Sequence, residues 1–239
     1  MKQQTIGDSR YGTQGGAFTR RAETIFAALF LLLFAVGSVG HHVAATRQLM
    51  LALTPYVLVI LGLSSLVPLL IARAWRVLLW VVLSYAATFL LEAVGVATGA
   101  VFGEYMYGPT LGLKLFQVPL IIGFNWVIVV LGSVRIVEAV LDRTRLRPTV
   151  VIGPLLVGSL AVAFDLVLEP VAIALNYWQW TAVAVPFRNY AAWFVIAAVV
   201  SVPLFVIRGR PATRVTAYYV IIQLLFVASL LPLRSTDHG

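Results

Sequence analysis

Residues 149–172 read TVVIGPLLVGSLAVAFDLVLEPVA, a mostly apolar run whose only ionisable residues are two acids, Asp165 and Glu169. A spanning helix needs about 20 mostly apolar residues, so this stretch reads as a membrane span with carboxyls inside it. Working outward, six further runs of that kind lie at 22–40, 49–72, 76–99, 116–139, 190–207 and 215–233. The expected fold is therefore all-α, a polytopic bundle of seven transmembrane helices. The expected layout is a disordered tail over 1–21, a single membrane domain over 22–233 and a short tail over 234–239. Arg20-Arg21 would suit a signal peptide. The polar lead is too long for one, however, and the apolar stretch from Ala22 to Gly40 exceeds a usual h-region, so it is read as the first span.

Composition leads to the same fold. The 239 residues are 61% hydrophobic and 11% charged, with a mean hydropathy of +0.98. Soluble domains run at roughly 45–50% apolar and 25% charged, so a water-soluble globule is excluded. The net charge of +8 does not point to nucleic acid, because the basic residues lie between apolar runs and form no patch. With no cysteine, the chain has no disulfide, thiolate nucleophile or Cys-zinc site. His41 and His42 are adjacent but lack a third ligand nearby, so neither metal nor cofactor is expected.

Lysine and arginine segregate between alternate connections. One side receives Lys2, Arg10, Arg20, Arg21, Arg73, Arg76, Arg143, Arg145, Arg147, Arg208, Arg210 and Arg214; the other receives Arg47, Lys114, Arg188 and Arg234. Arg135 alone falls within a span, three residues before Glu138, and the two read as a local ion pair. By the positive-inside rule the N-terminus is cytoplasmic and the C-terminus outside.

The outer connections at about 100–115 and 173–189 are long, aromatic and nearly uncharged. Phe102, Tyr105, Tyr107, Tyr177, Trp178 and Trp180 lie there. Any one of them fits an interfacial belt, but their concentration on one side suits a roof over a cavity for an apolar ligand. Gly95 and Gly99 read as a small-residue ridge for helix packing.

Ionisable groups inside spans are costly and point to function. Glu92 in the third span and Asp165 in the fifth lie roughly 10 Å below the outer end, and Glu169 follows Asp165 on the same helical face. Asn125 enters the fourth span roughly 13 Å deep, Asn189 opens the sixth, and Glu104 lies in the adjoining loop. No lysine or arginine shares this layer. Burial and mutual repulsion therefore favour at least one carboxyl keeping its proton.

Several short elements together carry a resemblance. They are Glu92-x-x-Gly95-x-x-Thr98-Gly99, Phe102-Gly103-x-Tyr105, Asp165-x-x-x-Glu169-Pro170 and Tyr177-Trp178-x-Trp180. Over about residues 80–205 the chain resembles the membrane-bound carotenoid biosynthesis proteins, which include the carotenoid 1,2-hydratases and bisanhydrobacterioruberin hydratase. The resemblance implies cofactor-independent addition of water to the terminal C=C of an acyclic carotenoid, a hydro-lyase reaction, in the cell membrane of a prokaryote. The implied partners are the lipophilic carotenoid, water, membrane lipid and other enzymes of the pathway.

That chemistry needs an acid to protonate the alkene, a stabilised tertiary cation and a base for water. Asp165 is the expected acid. Glu92 and Glu169 are expected to share its proton or position water, with Glu104 as a fourth carboxyl. Asn125 and Asn189 are expected to hold the water, and Tyr105, Tyr177, Trp178 and Trp180 to line the substrate site, aromatic faces steadying the cation.

An end-group cyclase would begin with the same protonation. A proton-relaying transporter or photoreceptor is a further alternative, as is a non-catalytic scaffold. A retinal Schiff base is excluded, because Lys2 and Lys114 both lie outside the spans.

The charge asymmetry makes a direct prediction in this cysteine-free chain. Cysteine at position 114 should react with a membrane-impermeant maleimide in intact cells, and cysteine at position 142 only after permeabilisation. The opposite pattern would invert the topology.

Overall fold

A computed structural model describes residues 20–144, 149–207, 210–211 and 213–235. The expected disorder of residues 1–19 and the tail at 236–239 lie outside that range. Among the described residues, seven helices are long and apolar enough to cross a membrane. In chain order the helices are α1 (Arg20–His42), α2 (Ala44–Ser65), α3 (Val67–Ile71), α4 (Trp75–Thr98), α5 (Leu120–Arg143), α6 (Ile152–Ala174), α7 (Phe187–Val206) and α8 (Val215–Ser229). Helices α2 and α3 make one span with a break at Leu66, because Pro68 has no N–H for the Ser64 carbonyl. Arg20 and Arg21, expected in the tail, already belong to α1.

Helix α5 is the hub, packing against α2, α4, α6, α7 and α8. Its Val127, Val129, Val130 and Val134 are fully buried, whereas α1 turns Leu31, Leu32, Leu33 and Val36 outward. Outward apolar side chains are ordinary where the surrounding solvent is lipid. Gly132 allows the close α5–α8 approach. A Cβ there would lie 2.4 Å from Val220 Cγ2 and 2.7 Å from the Thr216 carbonyl oxygen.

One end of the bundle is tied by charge. Glu138 accepts from Arg135 Nη1 at 2.5 Å and also from Arg210, while Arg135 Nε donates to the Thr213 carbonyl at 2.9 Å. The expected Arg135–Glu138 pair is thus part of a larger cluster joining α5 to the chain before α8. Glu23 on α1 joins the same end by accepting the Arg214 backbone N–H at 2.8 Å.

The other end is aromatic, and here the structure departs from the expected loops. Tyr105–Tyr107 forms β1, which pairs antiparallel with β4 (Trp178–Trp180), placing Tyr105 opposite Trp180 and Tyr107 opposite Trp178. Between them, Lys114–Leu115 (β2) pairs with Val118–Pro119 (β3). The turn residues Phe116 and Gln117 have φ of 51° and 64°, a left-handed conformation that cannot continue a helix. The fourth span therefore begins at Leu120, not 116, and Asn125 lies only roughly 8 Å into it.

Gly95 and Gly99 do not form the expected helix-packing ridge. A Cβ on Gly95 would meet the Phe102 ring at 2.7 Å, and Gly99 ends α4 with φ of 66°. Both serve the chain's reversal into β1.

Gly132→Ala should destabilise the detergent-solubilised protein by about 1–3 kcal/mol, because backbone and a branched side chain block the new methyl. Gly37→Ala, which meets only the Phe226 ring edge at 3.3 Å, should change thermal stability far less. Equal melting temperatures for the two variants would refute the close α5–α8 crossing.

Candidate active site

The β1–β4 ribbon follows from period-two alternation, which sends successive side chains to opposite faces. Tyr105, Tyr107, Trp178 and Trp180 point into the bundle, while Met106 and Gln179 are exposed. Each inward polar tip finds a carboxylate. Tyr105 and Tyr107 hydroxyls donate to Glu92 Oε2 at 2.5 and 2.8 Å, and Trp126 Nε1 on α5 donates to Glu92 Oε1 at 2.7 Å. Trp178 and Trp180 Nε1 both donate to Glu169 Oε2 at 3.0 Å. Asn189 Nδ2 on α7 bridges Glu169 Oε1 at 3.1 Å and Asp165 Oδ2 at 2.6 Å.

Glu92 and Glu169 face one cavity of about 70 Å³. Its walls are mostly apolar and aromatic, including Phe102, Tyr105, Trp126, Trp180, Trp193 and Phe226. Trp126 and Trp193 stack with ring centroids 3.8 Å apart. Asn125 lines the cavity and accepts from Gln223 Nε2 at 2.8 Å. Gln223 Oε1 and Tyr177 Oη, on two further lining residues, are buried without a hydrogen-bond partner. Buried polar atoms of that kind suit a bound water.

The donor inventory separates the two carboxyls. An indole N–H can only donate, so Glu169 Oε2, which takes two of them, is held as an acceptor. The hydroxyls on Glu92 Oε2 can donate or accept, so that oxygen is the one able to carry a proton without losing its partners. Burial and the adjacent Glu92 hold the Tyr105 and Tyr107 phenols well above the ordinary tyrosine range, so both stay protonated. Burial also pushes the Tyr177 phenol up to about 12.

Eight of the expected residues meet at this cavity: Glu92, Glu169, Asn125, Asn189, Tyr105, Tyr177, Trp178 and Trp180. Two do not. Glu104 is exposed, because it precedes Tyr105 by one residue at the start of a strand whose alternate positions face out. Asp165 is fully buried but forms no part of the wall; it lies one helical turn from Glu169, behind the Asn189 amide. His41 and His42 each bond back to their own helix, at the Gly37 and Ser38 carbonyls. Among the described residues no three His, Asp or Glu side chains gather as metal ligands.

Sequence reasoning passed over Trp126, Trp193, Tyr107 as a donor, and Gln223. The Tyr-x-Tyr and Trp-x-Trp spacings were a usable sign of facing strands. Trp126, Trp193 and Gln223 sit in otherwise ordinary apolar runs and gave no such sign.

A seven-span bundle with two buried carboxyls in an aromatic, lipid-level cavity defines a membrane protein suited to an apolar ligand. The sequence model of the family described as carotenoid biosynthesis protein matches residues 48–233, and the chain belongs to that family. Among curated proteins, the bisanhydrobacterioruberin hydratase of Haloarcula japonica is 34% identical over 113 residues. That match covers 46% of this chain and 38% of the relative. No solved structure matches the chain.

Asn189→Leu removes the donor shared by Asp165 Oδ2 and Glu169 Oε1. It should lower stability by about 1–3 kcal/mol, the usual cost of an unsatisfied buried polar group. Thermal unfolding in detergent should show no such loss for Glu104→Gln; equal effects would argue against the bridge.

Proposed function

We propose that the protein is a cofactor-independent hydratase that adds water across the terminal C1=C2 bond of an acyclic carotenoid end. The observation that carries this reading is the pair Glu92 and Glu169, each gripped by three donors and both facing one aromatic cavity. Glu92 Oε2 gives its proton to C2, leaving a tertiary cation at C1. The faces of the Trp126–Trp193 stack and Tyr105 steady that cation through their quadrupoles. Water held near Asn125, Gln223 and Tyr177 bonds to C1 through oxygen, and its surplus proton passes to the Glu169 carboxylate. The sum is one hydrogen on C2 and one hydroxyl on C1. Return of the proton from Glu169 to Glu92 through water in the cavity they share resets the site.

In this scheme Asp165 is a positioning residue that fixes Asn189 and hence Glu169. The unpaired Gln223 Oε1 and Tyr177 Oη favour water capture over ring closure. The setting we infer is the cell membrane of a prokaryote, with the site in the outer half of the bilayer. Other enzymes of the pathway are candidate partners.

Expression in bacteria that accumulate lycopene or γ-carotene, followed by chromatography and mass spectrometry, tests the proposal. The expected product is heavier by one water and carries isotopic oxygen from labelled water. Glu92→Gln and Glu169→Gln should each cut product by about 10²–10⁴-fold, the range for losing an acid or base, while Glu104→Gln should retain it. An isomer of unchanged mass would replace the hydratase by a cyclase. Full product from both glutamine variants would refute the assigned roles.

A further inference from the structure

The cavity at Glu92 and Glu169 takes about 70 Å³, far too little for more than the end of a long hydrocarbon. The rest of a lipid-dissolved substrate must lie elsewhere and remain continuous with the reacting end. A second, larger space of about 1010 Å³ meets that requirement. It runs along Leu166, Pro170 and Ile173 of α6, faces Tyr190 of α7, and is bordered by the mostly exposed loop residues 181–185. Glu169 and Trp180 line both spaces, so they form the partition between them.

Three features make this an entry from lipid rather than from water. Leu166, on the apolar span α6, is 53% exposed, so the groove opens on a helix flank of the kind that faces lipid. Glu169 is the one ionisable acid among the lining residues, and no lysine or arginine joins it. Trp180 is half-buried, with its indole N–H on Glu169 Oε2 and its ring 5.0 Å from that of Tyr105. One aromatic side chain thus separates the groove from the cavity, and its rotation would join them.

We propose that this groove is a lateral binding channel for the extended conjugated chain of the substrate, which enters from the bilayer between α6 and α7 and passes its end group beyond Trp180. The inference rests on the hydratase reading for the fate of the end group, but not for the binding of the chain. Leu166, Pro170 and Ile173 give the groove one apolar helical face, and a rigid polyene laid along it loses less conformational freedom than a flexible acyl chain would.

The test fills the groove without touching the carboxyls. Ile173→Trp and Ala184→Trp are compared with Leu79→Trp, an exposed position on α4 away from both spaces. The readouts are lycopene retained per protein after detergent purification, KM for lycopene, and turnover of a ten-carbon acyclic terpene bearing the same trisubstituted alkene end. Melting temperature and yield report folding. Both groove variants should retain at least about tenfold less lycopene and show a raised KM, with unchanged turnover of the short terpene. Leu79→Trp should match the unmodified protein.

Retention and KM unaffected by both groove variants, or lowered equally by Leu79→Trp, would overturn the channel. So would an unmodified protein that neither retains nor converts lycopene. Lycopene retained by the unmodified protein, lost in the groove variants and never hydrated would uphold the channel and refute the hydratase. Hydration indifferent to the groove variants would do the reverse.

Discussion

Two carboxylates buried at membrane depth need hydrogen-bond donors, and the rest of the aromatic end is arranged around supplying them. Unpaired charge in a low-dielectric interior is expensive, and lipid offers no water to relieve it. The β1–β4 ribbon answers with four donors on one face, two phenols for Glu92 and two indoles for Glu169. Helices α5 and α7 add Trp126 and Asn189. The turns that look irregular, the left-handed Gly99 and the room at Gly95 for Phe102, bring the chain off α4 at the angle β1 requires.

That arrangement also divides the work. Phenols can take a proton as readily as give one, whereas indoles cannot, so two glutamates with equal numbers of partners are made chemically unequal. Their donors are themselves large aromatic surfaces, so the same residues that satisfy the acids also build walls suited to hydrocarbon and to positive charge. The opposite end has no such chemistry. Arg135, Arg210 and Glu138 with the Glu23 cap hold helix ends together where charged groups can reach the membrane surface.

The fold was largely legible in the chain. Seven apolar runs became seven spans, displaced by a few residues at their ends, because hydropathy and length are local properties. The fourth span began later than expected since a hairpin with left-handed Phe116 and Gln117 cannot be told from helix by apolarity alone. Within the site, Glu92, Glu169, Asn125 and Asn189 were legible because polar residues in spans are rare. Glu104 was misplaced because its exposure depends on strand alternation, which an aromatic loop reading does not contain.

The sequence by itself determined that the chain crosses a membrane seven times and which acids are buried there, since both follow from the cost of placing each residue in hydrocarbon. Only the tertiary structure decided which acids share a space. Asp165 and Glu169 are one turn apart on a single helical face, yet Asn189 from α7 closes over the deeper one and leaves the other on the cavity wall. That choice comes from the packing of α6 against α7 and from the ribbon above them, contacts between segments far apart in the chain that no local pattern encodes.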